Sequence, residues 1–215
     1  MHKFVVLISG NGTNLEAICK AGLAINIAAV ISNKSCAKGL DIATKYNIPT
    51  HIIDHRNFKS RDEFDNELIM QIEAYTPEFI VLAGFMRILT TKFVTCYQNR
   101  LLNIHPSLLP SFIGSNAKHE ALQKKVKVTG VTVHFVTDTL DSGPIIAQGI
   151  IPLHYNDTEE TLNTRTHELE HIIYPFVIKK YLTNEISIDV DGNVIVKHDS
   201  KDKVFMGKFN DHIFY

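Results

Sequence analysis

The stretch FVVLISGNGTNLEAI, residues 4–18, contains a complete strand–turn–helix unit. Its first six residues are almost continuously apolar, as in a strand that is buried on both faces of a sheet. Gly10 and Gly12 then permit a tight turn, and a helix is predicted from about Leu15 to Ala21. A strand followed at once by a helix is the repeating unit of α/β proteins, so this stretch predicts that fold class.

The same alternation continues through the first half of the chain. Further strands are predicted at 25–32, 50–54, 79–84 and 100–105, and further helices at 36–46 and 60–75. Ser60 is expected to cap the second of these helices, with Glu63 completing a capping box. Such alternation predicts an open, doubly wound, mostly parallel sheet of Rossmann-like type with right-handed crossovers.

The second half has a different pattern. TGVTVHFV, residues 129–136, and PIIAQGIIPL, residues 144–153, are predicted to be antiparallel strands that extend the sheet. A long helix is predicted over 158–182 with Thr158 at its N-cap, and residues 186–197 are predicted to form a terminal hairpin. Because no repeat or linker interrupts the sequence, a single domain over 1–215 is expected.

Composition excludes several functional classes. The 215 residues carry a formal charge of −1 with both signs scattered, and they form no basic stripe that would bind nucleic acid. Cys19, Cys36 and Cys96 form neither a CxxC pair nor an even set for disulfides, which favours a reducing compartment. The apolar run at the N-terminus is too short for a signal peptide or a membrane span. These features predict a cytoplasmic protein that binds neither nucleic acid nor membrane.

The glycine loop after the first strand is a candidate anion site. It leads into a helix N-terminus, where unpaired N–H groups and the helix dipole attract an anion. Thr13 and Asn14 add side-chain donors, so the loop suits a single phosphate. The lysine of a P-loop is missing, and Leu15 replaces the last glycine of the dinucleotide fingerprint. A glycine-rich turn without a ligand is the alternative.

LLNIHPSLLPSFIGS, residues 101–115, contains the main catalytic candidates. Asn103 and His105 are two apart on a predicted strand, so they point to the same side at the edge where open α/β sheets bind ligands. An amide and an imidazole are donors suited to an oxyanion, and histidine also transfers protons near neutral pH. Asp141 is the candidate carboxylate that would orient His105. The alternative is that Asn103 caps a turn and His105 is a hydrogen-bonded core residue.

Four segments, in their order and spacing, resemble the phosphoribosylglycinamide formyltransferases, which are formyltransferases that use 10-formyltetrahydrofolate. The segments are GNGTNLEAI, LAGFMRIL, LLNIHPSLLPSF and TGVTVHFVTDTLDSGPII. The resemblance implies formyl transfer from 10-formyltetrahydrofolate to glycinamide ribonucleotide in purine biosynthesis, without a metal. It also implies a phosphate-binding half over 1–100 and a catalytic and folate-binding half over 101–215.

The resemblance further implies roles for individual residues. Catalysis is expected from Asn103, His105 and Asp141. The substrate phosphate is expected to contact Gly12, Thr13 and Asn14, and the substrate ribose is expected to contact His167, Glu168, Leu169 and Glu170. The folate is expected to contact Arg61, Met86, Arg87, Ile88, Leu89, Asn103, Thr137, Asp138, Thr139, Leu140 and Asp141. The expected state is a monomer or a weak homodimer.

Some features do not fit this interpretation. Lys118 stands where the family often has a histidine, with His119 beside it, and their role is left open.

In THELEH, residues 166–171, His167 and His171 have the spacing of zinc ligands, and Glu168 would be the base of a metallohydrolase. Against zinc, the sequence offers no obvious third ligand, and Pro175 is expected to limit the helix. A non-catalytic phosphate-binding module is a further alternative, and no role is assigned to the tail at 197–215.

Overall fold

The computed structural model describes residues 2–197, and the chain divides into two units. The first unit contains the chain up to Asn103 together with Phe135–Leu140. The second contains Ile104–His134 and Asp141–Lys197. The tail beyond Lys197 lies outside the described residues. Within residues 2–197, no helix has both the length and the apolar character needed to cross a membrane. The single domain over 1–215 and its two functional halves stay predictions.

Parallel strands form the sheet of the first unit. Across the sheet their order is β3-β2-β1-β4-β5, and in chain order they are β1 Phe4–Ile8, β2 Ile27–Ser32, β3 Thr50–Ile52, β4 Phe79–Leu82 and β5 Leu101–His105. Every residue of β1 and β4 is buried, as expected for central strands that are covered on both faces. The last two residues of β5 belong to the second unit.

The helices of the first unit follow its strands. They are α1 Thr13–Ile18, α2 Gly39–Lys45, α3 Arg61–Glu73 and α4 Thr91–Cys96. Phe64 and Leu68 of α3 and Phe93 of α4 pack with Leu7 and Ile31 of the sheet in one apolar core. Burial of each such side chain stabilises the fold by about 1.5–3 kcal/mol. The helix α4, which is only six residues long, is not predicted from the sequence.

The start of α3 confirms one half of the predicted capping box. The Glu63 N–H donates to the Ser60 hydroxyl over 3.1 Å, so Ser60 is the N-cap. The reciprocal half is wrong, because the Glu63 carboxylate accepts the N–H of Lys59 (2.9 Å) instead of that of Ser60. The Ser60 hydroxyl still accepts the Glu63 N–H, one of the first-turn donors that have no partner within the helix.

The second unit contains an antiparallel pair, two helices and a hairpin. Its remaining elements are β6 Val128–Phe135, β7 Ile145–Pro152, α5 Ala117–Gln123, α6 Glu159–Leu182, β8 Ile186–Ile188 and β9 Val194–Val196. Phe135, the last residue of β6, belongs to the first unit. β6 pairs antiparallel with β7, and Gly130 lies opposite Ile150. A Cβ atom on Gly130 would lie 1.9 Å from the carbonyl oxygen of Gly149, so only glycine permits this close approach of the two strands. The sequence analysis did not predict α5.

The predicted fold class is confirmed: parallel strands alternate with helices, then antiparallel strands, a long helix and a hairpin follow. The expectation that Pro175 limits the long helix is wrong, because α6 continues to Leu182 with Pro175 inside it. A proline within a helix costs about 3 kcal/mol. Its neighbours Tyr174, Val177 and Ile178 are buried, and this packing offsets the lost hydrogen bond.

The start of α6 is fixed by Thr158 and by the carboxylate of Asp157. Thr158 and Thr161 form a reciprocal capping box, which confirms Thr158 as the N-cap. The Asp157 carboxylate accepts hydrogen bonds from the His154 N–H (2.7 Å), the Thr161 hydroxyl (2.9 Å) and the Arg165 guanidinium. Burial by itself would raise the pKa of Asp157, but these three donors outweigh it and hold the pKa below its usual value.

This arrangement predicts a pH-dependent contribution to stability. Because the pKa of Asp157 is lower in the folded than in the unfolded chain, its contribution is present above the unfolded pKa, near 3.9, and is lost as the pH falls through the folded pKa. Asp157→Asn should lower the free energy of unfolding by about 1–2 kcal/mol at pH 7. Denaturant titrations of both proteins should show this difference unchanged from pH 7 to about pH 5 and shrinking below about pH 4. A difference that grows in acid would contradict the assignment.

Candidate functional site

Three neighbouring parallel strands of the first unit end at one edge of its sheet. β1 lies between β2 and β4, and β4 pairs with β5 so that Leu82 is opposite Asn103. The glycine loop follows β1, the segment Met86–Leu89 follows β4, and Asn103 lies near the end of β5. The predicted phosphate-binding loop, folate-binding segment and catalytic amide therefore belong to the carboxyl edge of adjacent strands, where open α/β sheets bind ligands.

The glycine loop has a tightly constrained backbone. Gly12 has a φ of 74°, and a Cβ atom there would lie 2.5 Å from the Cα of Gly39 at the start of α2. The Gly39 N–H also donates to the carbonyl of Gly10 over 3.0 Å. A side chain at residue 12 would therefore push the loop away from α2. Thr13 and Asn14 begin α1, so the N–H groups of its first turn lie at this loop.

The segment Met86–Leu89 is anchored at both ends and carries exposed apolar side chains. The Met86 N–H donates to the Ser9 hydroxyl (2.8 Å), and the Thr90 N–H donates to the Asp65 carboxylate (2.6 Å). Met86 is 72% exposed and Ile88 is 62% exposed, whereas Leu89 packs against the core. Two exposed apolar side chains on an anchored loop can cover the apolar face of a ligand.

Arg87 points away from this apolar surface. Its guanidinium lies over the Phe64 ring, 4.6 Å from the ring centre, near the buried carboxylate of Asp65. Burial raises the pKa of Asp65 above its usual value, although the Thr90 N–H and the Arg87 charge oppose that rise. The side chain of Arg87 therefore packs on α3 and supports the loop between Met86 and Leu89.

The other predicted folate residues of the first unit are exposed to different extents. Arg61 is the first residue of α3 and is exposed. The Val136 N–H donates to the Leu101 carbonyl (2.8 Å), so Thr137–Leu140 begin beside β5. The Thr137 hydroxyl donates to the Thr139 carbonyl (3.2 Å), and Leu140 is half exposed. A short turn closed by its own hydrogen bond presents Leu140 to solvent.

In the second unit, the ring of His105 is held between two acceptors. Its Nε2 lies 2.9 Å from the Phe112 carbonyl oxygen, and its Nδ1 lies 3.4 Å from the Asp141 carboxylate. A carbonyl oxygen only accepts, so Nε2 must carry a proton to form this bond. A ring protonated on both nitrogens satisfies both contacts. His105 is only 5% exposed, so its orientation is fixed by these partners.

Asp141 has two further contacts. The Gly114 N–H donates to the same carboxylate oxygen that faces His105, over 2.9 Å. The other oxygen lies 3.9 Å from Nε2 of the buried His134. Asp141 has a φ of 50° and Phe112 has a φ of 57°, so both partners of the His105 ring adopt the left-handed region. Left-handed backbone at residues other than glycine is sparsely populated and clusters at functional sites.

The turn between His105 and Phe112 is fixed by buried hydroxyl groups. The Thr132 hydroxyl of β6 donates to the Ser107 carbonyl (2.7 Å) and accepts the Leu109 N–H (3.0 Å). The Ser107 hydroxyl donates to the Ser111 carbonyl (2.5 Å). These bonds set the path of the backbone up to residue 112, and so they place the carbonyl that faces His105.

The predicted ribose residues of α6 face different directions. Leu169 is in the core, where its side chain lies against Gly149 of β7. Glu168 is exposed, and Glu170 is a buried carboxylate.

The rings of His167 and His171 are stacked 6.1 Å apart. In the part of the chain that the structure describes, no cluster of three metal-ligating side chains occurs. The H-E-x-x-H pattern therefore has no third protein ligand within residues 2–197.

Lys118 and His119 join the two helices of the second unit. The Lys118 ammonium donates to the Asn163 side chain of α6, and the His119 ring contacts the Glu159 carboxylate at the start of α6. Both side chains therefore hold α5 against α6. This supplies a packing role for the two positions where the sequence departs from the resemblance.

Several participants were not identified from the sequence. The Phe112 carbonyl and the Gly114 N–H are backbone groups, and no residue type signals them. His134 was overlooked because it lies in an alternating strand. Ser9 was overlooked because it appeared to be the last residue of a buried strand, although a hydroxyl at a strand end was a visible signal.

Comparison with known proteins places this arrangement in a family. Residues 2–178 match the model of the formyl transferase family. The phosphoribosylglycinamide formyltransferase of Escherichia coli (strain K12) is 46% identical over 188 residues, which cover 86% of this chain and 89% of that protein. The structure of the phosphoribosylglycinamide formyltransferase of Coxiella burnetii superposes with a TM-score of 0.86 at 49% identity, covering 91% of this chain and 93% of the other.

A longer relative contains the same unit. The trifunctional purine biosynthetic protein adenosine-3 of Gallus gallus is 44% identical over 199 residues, which are 91% of this chain but only 20% of that protein. The chain thus spans about a fifth of the length of this relative.

The chain belongs to the formyl transferase family. Within that family, the sequence resemblance to the phosphoribosylglycinamide formyltransferases is confirmed, as is the prediction that the chain is an enzyme of this class.

Proposed function

We propose that this enzyme transfers a formyl group from 10-formyltetrahydrofolate to the amine of glycinamide ribonucleotide, as a step of purine biosynthesis. The relatives named phosphoribosylglycinamide formyltransferases support the acceptor, and the family supports a formyl-folate donor. The observation that carries the proposal is the His105 ring, which is held against Asp141 and the Phe112 carbonyl two residues after Asn103 on β5.

The chemistry is direct transfer. The amine nitrogen forms a bond to the formyl carbon, and the carbonyl electron pair moves to oxygen, which gives a tetrahedral oxyanion. Collapse restores the carbonyl and breaks the bond to N10 of the folate. N10 gains a proton and the amine nitrogen loses one. No covalent intermediate on the enzyme is needed.

Asn103 and the protonated His105 stabilise the oxyanion. Both side chains point to the same side of β5, because residues two apart on a strand share a face. Each donor to such an oxyanion contributes about 2.7–4 kcal/mol to the transition state. Nε2 of His105 lies 2.9 Å from the Phe112 carbonyl oxygen, so the oxyanion would replace that carbonyl as the acceptor of the Nε2 proton. Asp141 keeps the other nitrogen oriented and stabilises the positive ring.

Substrate binding is assigned to the remaining predicted residues. Gly12, Thr13 and Asn14 bind the phosphate, and Glu170 binds the ribose together with the helical turn before it, His167, Glu168 and Leu169. Met86, Arg87, Ile88 and Leu89 bind the pterin largely through the backbone. Further folate contacts come from Arg61, Thr137, Asp138, Thr139, Leu140 and Asp141. A monomer or weak homodimer and a cytoplasmic location stay predictions.

A two-substrate assay tests this function. Purified protein should release tetrahydrofolate from 10-formyltetrahydrofolate only when glycinamide ribonucleotide is also present, and the nucleotide should gain one formyl group for each tetrahydrofolate released. Release without the nucleotide would indicate a hydrolase. Binding of the nucleotide with no release would indicate a phosphate-binding module. Loss of activity with a chelator, together with stoichiometric zinc in the purified protein, would favour the metallohydrolase based on His167 and His171.

A further inference from the structure

The hydroxyl group of Ser9 lies at the junction of the glycine loop and the Met86–Leu89 loop. Ser9 directly follows β1 and is 4% exposed. Its hydroxyl donates to Oδ1 of Asn33 over 2.6 Å and accepts the Met86 N–H over 2.8 Å. The Ser9 side chain therefore connects the end of β1 to the residue after β2 and to the loop after β4.

Asn33 extends this network to the loop after β3. Asn33 directly follows β2 and is 2% exposed. Its carbonyl oxygen lies 3.0 Å from Nδ1 of His55, which is in the turn after β3. The side-chain nitrogen Nδ2 of Asn33 lies 3.3 Å from the same ring nitrogen, so both the backbone and the side chain of Asn33 contact His55 while its amide oxygen accepts from Ser9. The Ser9 hydroxyl hydrogen then points at Asn33, which leaves its lone pairs for the Met86 N–H.

The other end of the Met86–Leu89 loop is fixed independently. Asp65 is 3% exposed and accepts the Thr90 N–H over 2.6 Å, and Arg87 stacks on Phe64. Ser9 thus holds Met86, the first residue of the loop, and Asp65 holds Thr90, which directly follows the loop. These two anchors hold the backbone that carries the exposed side chains of Met86 and Ile88 at both ends.

We propose that Ser9 is a positioning residue that sets the folate-facing loop relative to the phosphate-facing loop. The inference rests on the proposed function, which assigns ligands to these two loops. Ser9 precedes Gly10 in the chain and holds Met86 by a hydrogen bond, so displacement of either loop is transmitted to the other. Removing the hydroxyl frees the Met86 N–H and leaves the Asn33 amide oxygen without its donor.

Kinetics of three variants test this inference. Ser9→Ala should raise the KM for both substrates about three- to tenfold, with kcat changed less than about threefold, because one buried hydrogen bond is lost outside the reacting atoms. Asn33→Ala should act in the same direction, and the double variant should resemble Ser9→Ala alone because both residues belong to one network. Tyr97→Phe is the matched control: it removes a buried hydroxyl that donates to Glu73 (2.9 Å) in the same unit, and KM should stay unchanged.

Hydrogen exchange supplies a readout that does not depend on activity. In Ser9→Ala, the Met86 amide hydrogen, followed in a peptide covering residues 84–90, should exchange about tenfold faster because it has lost its acceptor, whereas Tyr97→Phe should leave that peptide unchanged. Wild-type KM values or wild-type exchange in folded Ser9→Ala would overturn the inference. Faster exchange in a protein whose wild type transfers no formyl group would support the positioning of the loop and refute the proposed function instead. If Ser9→Ala does not fold, Asn33→Ala decides by the same criteria.

Discussion

Replacing His105 by alanine should lower kcat by about 10³-fold while the protein remains folded. The ring supplies one of the two oxyanion donors, and loss of one such donor costs about 10²–10³ in kcat. It also carries the proton whose position Asp141 controls, and general acid–base catalysis contributes a further factor. Steady-state rates with both substrates saturating should show the loss in kcat, with KM changed less, because the interaction forms in the transition state.

A control variant separates the effect of His105→Ala on kcat from its effect on the free energy of unfolding. His105→Ala removes the partner of a buried carbonyl and a carboxylate, so it should also lower the free energy of unfolding by about 1–3 kcal/mol. His51→Ala is a suitable comparison: it removes a half-buried ring of β3 whose Nε2 contacts the Tyr75 hydroxyl at 2.5 Å. That variant should lose stability but keep its kcat. An active His105→Ala protein would remove this side chain from the mechanism and favour the alternative of a hydrogen-bonded core histidine.

Asp141→Asn should lower kcat by about 10²-fold, and the cause should be the loss of charge. Asparagine tolerates left-handed backbone better than most residues, so the φ of 50° at this position can be kept. Its single amide oxygen can still accept the Gly114 N–H, which now bonds the Asp141 carboxylate over 2.9 Å. The geometry around His105 is therefore retained while the negative charge 3.4 Å from Nδ1 is removed.

Asp157→Asn is the matched control for this substitution. Asp157 is also a largely buried carboxylate of the second unit, hydrogen-bonded to a backbone N–H, but its positive partner is Arg165 at the start of α6. Its amide variant should lose stability without a loss of kcat. Single-turnover rates of the two variants should therefore differ by about two orders of magnitude, in line with a general acid–base contribution. Equal rates would show that the charge of Asp141 does not support the transfer step.

The elements that local patterns specify were predicted well. The apolar run before Gly10 marks β1, and the hydroxyl residues Ser60 and Thr158 mark the starts of α3 and α6. These signals depend on neighbours three or four residues away, so they can be seen in a single sequence. The short helix α4 was missed, although Thr90 is its N-cap, because apolar residues nearby were interpreted as a ligand pocket.

Pro175 shows the limit of a local rule. A proline usually ends a helix, because it lacks an N–H and its ring collides with the preceding turn. In α6 Tyr174, Pro175, Val177 and Ile178 are buried, and their packing keeps the helix intact to Leu182. The rule describes an isolated helix, whereas most helical stability in a protein comes from burial.

The sequence by itself determined the order of the strands and of the helices other than α4 and α5, the family resemblance and the types of the catalytic candidates, because periodicity, caps and motifs are local properties. Only the tertiary structure decided that His105 faces Asp141 and the Phe112 carbonyl, and that Ser9 holds Met86. Those contacts join residues far apart in the chain, or they use backbone groups that every residue type carries. They depend on the path of the backbone, including its left-handed turns at Phe112 and Asp141, and that path is set by the packing of the whole fold.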